Sequence, residues 1–104
     1  MLEEIRDINR GLDRRWPAGR EPFQIITRLA EECGELAAQV NHFEGSGVKR
    51  EKHGEPDKRK LAKEVMDVLR CALQVAAYYD AEAELDEVVA HARRRLIAEG
   101  YIDP

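Results

Sequence analysis

The stretch RLAEECGELAAQV, residues 28–40, decides the fold, together with KEVMDVL at residues 63–69. In the first, Leu29, Ala30, Cys33, Leu36, Ala37 and Val40 recur every three or four residues, the period of a helix with one apolar face. The pattern starts at Ile26, runs to about Phe43, and is preceded by Pro22, which a first helical turn tolerates. The second stretch belongs to a longer apolar stripe from Leu61 to Tyr79, with Asp57 as its expected N-cap. That stripe is broad enough to call for burial on several sides, by other helices or by a second subunit.

Working outward, Leu2–Arg15 reads as a first helix with Ile5, Ile8 and Leu12 on one stripe, stopped by Trp16-Pro17-Ala18-Gly19. A fourth helix carries Leu85, Val88, Val89, Ala92 and Leu96 and ends before Gly100, with Asp80 as its expected cap. No Gly or Pro separates the third helix from the fourth. Residues 44–56, from Glu44 to Pro56, hold three glycines, a proline and many charges without apolar periodicity, and are expected to form a mobile surface loop. The expectation is one all-α domain over residues 1–104, a four-helix bundle completed by dimerisation, with a tetramer as the alternative.

Composition removes several classes of function. No apolar run approaches the roughly 20 residues that span a bilayer, and the acidic start Met1-Leu2-Glu3-Glu4 lacks the basic charge of a signal peptide, so a cytoplasmic protein with no membrane partner is expected. A net charge of −4 argues against general nucleic-acid binding, which needs a basic face. Cys33 and Cys71 lie mid-helix, outside any Cys-x-x-Cys motif, and read as reduced, buried thiols.

Both deciding stretches carry acids at one-turn spacing: Glu32 with Glu35, and Glu64 with Asp67. Residues 36–40 offer no Lys or Arg to offset them, only Arg28 is near on the second helix, and Lys60 and Lys63 precede their acids in the weaker pairing order. Antiparallel packing of the two helices brings the four carboxylates together, where each pair at about 4 Å repels by roughly 4 kcal/mol at an effective dielectric near 20. Solvated helix acids are the alternative, and they leave that repulsion unexplained. A shell of carboxylates without histidine suits Mg²⁺, with Mn²⁺ possible in its place, over Zn²⁺. Gly34, inside the first acidic segment, is either simply tolerated or marks a close approach by a helix or a phosphate.

Glu31-Glu32-Cys33-Gly34-Glu35 followed by Glu64-Val65-Met66-Asp67 resembles the paired E-E-x-x-E and E-x-x-D motifs of the MazG-like, all-α nucleoside triphosphate pyrophosphohydrolases. The similarity covers about residues 16–79. It implies Mg²⁺-dependent cleavage between the α- and β-phosphates of a nucleoside triphosphate, giving a nucleoside monophosphate and pyrophosphate, with removal of noncanonical nucleotides as a role. Position by position it implies Glu32, Glu35, Glu64 and Asp67 as metal ligands and Glu31 as the group that activates water, against a solvated partner for Arg28. Trp16 and His42 resemble pocket aromatics of the family, against a core-closing Trp16 and a surface His42. Lys60, Lys63 and Arg93 are candidate phosphate contacts, against solvated helix charges. Ile97 stands about where the family carries an Asn, a departure that leaves the choice of nucleotide open. Relatives borrow pocket residues from a neighbouring subunit, so Trp16 or the Arg93-Arg94-Arg95 run could serve the partner's site. Phosphoribosyl-ATP pyrophosphohydrolase, of the same superfamily, and a noncatalytic helical interaction module are the rival readings.

Overall fold

The computed structural model describes residues 1–45, 51–52 and 54–104. Among these it contains no strand, and the chain runs through α1 (Leu2–Arg15), α2 (Pro22–Glu44), α3 (Lys58–Tyr78) and α4 (Glu82–Ala98). Of the stretch expected as a loop, Glu44 closes α2 and Glu51 and Lys52 are helical; residues 46–50 and 53 lie outside the described residues.

The helix ends follow from local chemistry. At α2, Glu21 and Gln24 form a reciprocal capping box, with the Gln24 Oε1 accepting from the Glu21 amide at 3.0 Å, and Pro22 fills the first turn. Gly45 ends the helix at φ 72°, a left-handed conformation that costs glycine nothing. Asp57 caps α3 by accepting from the Arg59 amide at 2.8 Å. The turn into α4 departs from expectation. Asp80 is not the cap of α4; it takes the left-handed position after α3, at φ 53°, and Ala81 precedes α4 without a side-chain cap. Aspartate tolerates that conformation better than most residues, so the turn needs no glycine.

α3 is the hub: it packs along α2 and also against α1 and α4. Asn9 on α1 donates to the Arg70 carbonyl on α3 at 3.0 Å, and Arg6 ties α1 to α4 through Asp86 at 3.0 Å and Glu82 at 3.8 Å. The buried apolar set is small, Ile5, Ile25, Cys71 and Leu73, and is matched by four buried polar residues, Asn9, His42, Asp67 and Gln74. A radius of gyration of 17.0 Å exceeds the roughly 13 Å of a closed domain of this length, and the chain is an open slab of 46 × 44 × 21 Å. The broad face of α3 is therefore not covered within one chain: Val65 is 41% exposed beside a groove lined by Ile5, Phe43, Leu61 and Leu69. Cys33 is exposed, contrary to expectation, because α2 turns that edge away from α3. No helix among the described residues is long and apolar enough to cross a membrane.

Candidate metal centre

Because α2 and α3 pack antiparallel, Glu32 and Glu35 from the first meet Glu64 from the second. One carboxylate oxygen from each lies within 4.8 Å of the other two. The Oε2 atoms of Glu32 and Glu64 are buried and have no hydrogen-bond partner among the described residues. Carboxylate oxygens have no proton to share, so such a group is stable only with a cation or with added protons. Burial, reinforced by Asp67, Glu35 and Glu64, pushes the Glu32 carboxyl above its usual range. Burial followed by the neighbouring Glu35 does the same to Glu64. Orphaned buried oxygens in an all-carboxylate set fit a hard divalent ion.

Asp67 sits beside this trio but is turned toward bases. It is buried, with Lys63 Nζ at 2.9 Å and Arg70 Nε at 3.7 Å. Lys63 thus pairs despite its order in the helix, and hydrogen bonding to Asp67 raises its ammonium above the usual lysine value. Arg70 belongs to no recognised motif, and its place one turn after Asp67 is the only sequence signal that brings it to the site.

The other expected residues fall in different places. Glu31 is exposed at the edge of the trio, and Arg28 turns instead to the Gly19 carbonyl at 2.7 Å. No ion pair joins Arg28 to Glu31 among the described residues. Gly34 faces open space, and a methyl group there would meet nothing within 4 Å, so no helix among the described residues approaches it. Trp16 does not close the core: it is 55% exposed at the end of α1, with the Arg15 guanidinium 4.6 Å from its ring centre. His42 is no surface residue; it is buried, with Nε2 2.7 Å from the Gly54 carbonyl. Lys60 is exposed one turn before Glu64, and Arg93 is exposed on α4 with no contact tying it to the acids.

The two pocket candidates lie to opposite sides of the acids along α2. Arg20, which binds the Trp16 carbonyl at 2.7 Å, lines a cavity together with Ile25, seven residues before Glu32, whereas His42 is ten residues after it.

No significant match to a curated protein or to a solved structure is found. The sequence model of the MazG nucleotide pyrophosphohydrolase domain does match, over residues 20–98, a span that contains the capping box of α2, both acidic pairs and all of α4. With most of its length covered by that match and its acids gathered between the two matched helices, the chain belongs to the MazG nucleotide pyrophosphohydrolase family.

Proposed function

We propose that this chain hydrolyses a nucleoside triphosphate between its α- and β-phosphates, releasing a nucleoside monophosphate and pyrophosphate, with Mg²⁺ or Mn²⁺ as its cofactor. The observation that carries the reading is the trio of carboxylate oxygens within 4.8 Å, two of its members having buried oxygens without a donor. Glu32, Glu35 and Glu64 would hold the cation, joined by Asp67 once it gives up Lys63. The cation supplies positive charge that neutralises and orients the polyphosphate and stabilises the leaving pyrophosphate.

The chain's own residues supply the rest. Glu31 immediately precedes Glu32 and is turned from it by about 100° around the helix, so it points away from the trio while staying beside it, where it can take a proton from water. The Lys63 side chain is 63% exposed, so its ammonium can turn from Asp67 to a phosphate oxygen, and Arg70 stays behind to hold Asp67. Lys60, one turn earlier, adds positive charge on the same helix. Trp16, exposed at the end of α1, would stack on a base, and the His42 ring, with its Nε2 at the Gly54 carbonyl, would be the second pocket aromatic. Arg93 would reach a site only in another subunit.

We further propose that the working form is a dimer. The slab shape supports this, as does the open groove of about 570 Å³ between Ile5, Phe43, Leu61, Val65 and Leu69, which leaves unburied the face that the α3 sequence is built to bury. Light scattering at micromolar concentration separates a dimer from a monomer or tetramer.

The test of activity is a screen of ribo- and deoxyribonucleoside triphosphates with Mg²⁺, with products resolved by chromatography. Monophosphate and pyrophosphate are expected from at least one substrate, and Glu35→Gln is expected to remove turnover while helical content is unchanged. Absence of hydrolysis across the screen, or equal rates in Glu35→Gln, would overturn the reading.

A further inference from the structure

The last helix is the least covered part of the chain. α4 runs for 17 residues with none of them buried, and Val88, Val89 and Leu96 are 61%, 51% and 41% exposed. It meets the rest of the chain through α3 and through the ion pairs of Arg6 with Glu82 and Asp86. Helices in proteins are held mainly by burial of an apolar face, so a helix of this length with its apolar residues in solvent calls for a cover.

Spacing and charge together identify the cover. Leu85, Val89, Ala92 and Leu96 recur at intervals of four, three and four residues, the seam of a helix that pairs with another helix. Acids crowd the first half of α4, at Glu82, Glu84, Asp86 and Glu87, and bases the second, at Arg93, Arg94 and Arg95. At about 100° per residue, Asp86 and Arg93 flank the seam on one side and Glu84 and Arg95 on the other. Each flank is thus negative toward its start and positive toward its end. The helix dipole favours the same order but acts only within the end turns, and Asp86 and Arg93 lie between those turns.

A flank of this kind matches a reversed copy of itself. When two α4 helices run antiparallel about a two-fold axis at the level of Ala90, Leu85 comes opposite the partner's Leu96 and Val89 opposite the partner's Ala92. The same axis sets Asp86 near the partner's Arg93 and Glu84 near the partner's Arg95, to within one residue of register. A parallel pair would instead put acids beside acids and arginines beside arginines. The flanking groups are open to such pairing: the Asp86 carboxylate, although it receives Arg6, is 63% exposed, the Arg95 side chain is 72% exposed, and Arg93 forms no ion pair among the described residues. None of them lines the groove at Ile5, Phe43, Leu61, Val65 and Leu69, so the two faces are separate.

We propose that α4 is a second self-association surface, pairing antiparallel with α4 of another copy of this chain. The pairing goes beyond the groove-mediated dimer and does not depend on it. Four seam residues from each chain bury less than about 1,200 Å², the lower bound of a standard interface, so association through α4 is expected above micromolar concentration. The test is sedimentation velocity from micromolar to submillimolar concentration, on the full chain and on Val65→Asp, which removes the groove contact. In both, mass is expected to rise with concentration to twice its starting value. Val89→Asp, at an exposed position, should abolish the rise while circular dichroism stays helical. Glu84→Arg and Arg95→Glu should each weaken association about tenfold, since every change acts twice across the axis. Combining them should restore it; the two residues lie about 16 Å apart along one helix, so only contact between copies explains the rescue. Constant mass through the range, which would leave α4 to a different protein, would overturn the proposal, as would unchanged association of Val89→Asp or a double variant as weak as the single ones. A wild-type chain that is monomeric at micromolar concentration and doubles only with Val89 intact would contradict the groove dimer and support this surface.

Discussion

Replacing Glu32 by Gln should make the metal-free protein more stable while making it less responsive to Mg²⁺. Glu32 contributes one oxygen to a trio within 4.8 Å, and at that separation each like-charged pair costs about 3.5 kcal/mol at an effective dielectric of 20. The full figure does not reach the stability of the fold, because Glu35 is exposed and screened by water and because protons taken up by the buried acids relieve part of it. A net gain of about 1–2 kcal/mol is expected, helped by an amide N–H that the orphaned Glu64 Oε2 can accept. For a domain of this size each kcal/mol moves the melting temperature by about 4–8 °C. The assay is thermal unfolding at one protein concentration, in EDTA and in excess Mg²⁺. Wild type should melt below the variant in EDTA and gain about 2.7 kcal/mol at a Mg²⁺ concentration 100 times its dissociation constant; the variant should gain much less. A variant less stable than wild type in EDTA, or one stabilised by Mg²⁺ to the same extent, would refute the reasoning.

Three further outcomes are expected. The raised carboxyls of Glu32 and Glu64 bind protons more tightly in the folded than in the unfolded chain, so their contribution favours folding at low pH and is lost as pH rises from the ordinary glutamate range through their elevated values. Metal-free protein should therefore gain stability as pH falls from neutral toward the ordinary glutamate range, and the stabilisation by Mg²⁺ should shrink over the same interval, as denaturant titrations at each pH can measure. Gly34→Ala should stabilise the helix by about 1 kcal/mol, since the added methyl meets nothing in this chain; a loss of stability accompanied by a loss of dimer in light scattering would place a second subunit at that face. Lys63→Ala should raise KM for the nucleotide by removing a phosphate contact, with Arg70 still holding Asp67 and the melting temperature nearly unchanged; steady-state kinetics with a melt of the same sample reads both.

Much of the architecture was legible because it is written in local chemistry. Pro22 and Asp57 mark the starts of α2 and α3, the Trp16-Pro17 pair marks the end of α1, and the apolar period between them specifies helices. The meeting of Glu32, Glu35 and Glu64 was equally readable, since two long helices joined in sequence pack antiparallel and share their middles. Features set by tertiary position were not. The apolar period of α2 counts Cys33 among its buried residues, yet only Ile25 and His42 of that helix are buried, because a single partner helix covers a narrow strip. The turn at Asp80 was misread because a left-handed aspartate does the work usually done by glycine. That Asp67 would face Lys63 and Arg70 depends on side-chain rotamers that spacing alone leaves open.

The central claim is that the carboxylates of α2 and α3 gather around one divalent site, and Mn²⁺ in crystals of the protein tests it most directly through anomalous scattering. The expected result is a manganese peak bounded by Glu32, Glu35 and Glu64, with Asp67 turned from Lys63 to join them and oxygen distances of about 2.0–2.2 Å. Saturating Mn²⁺ that leaves this position empty while the three carboxylates keep their arrangement would contradict it.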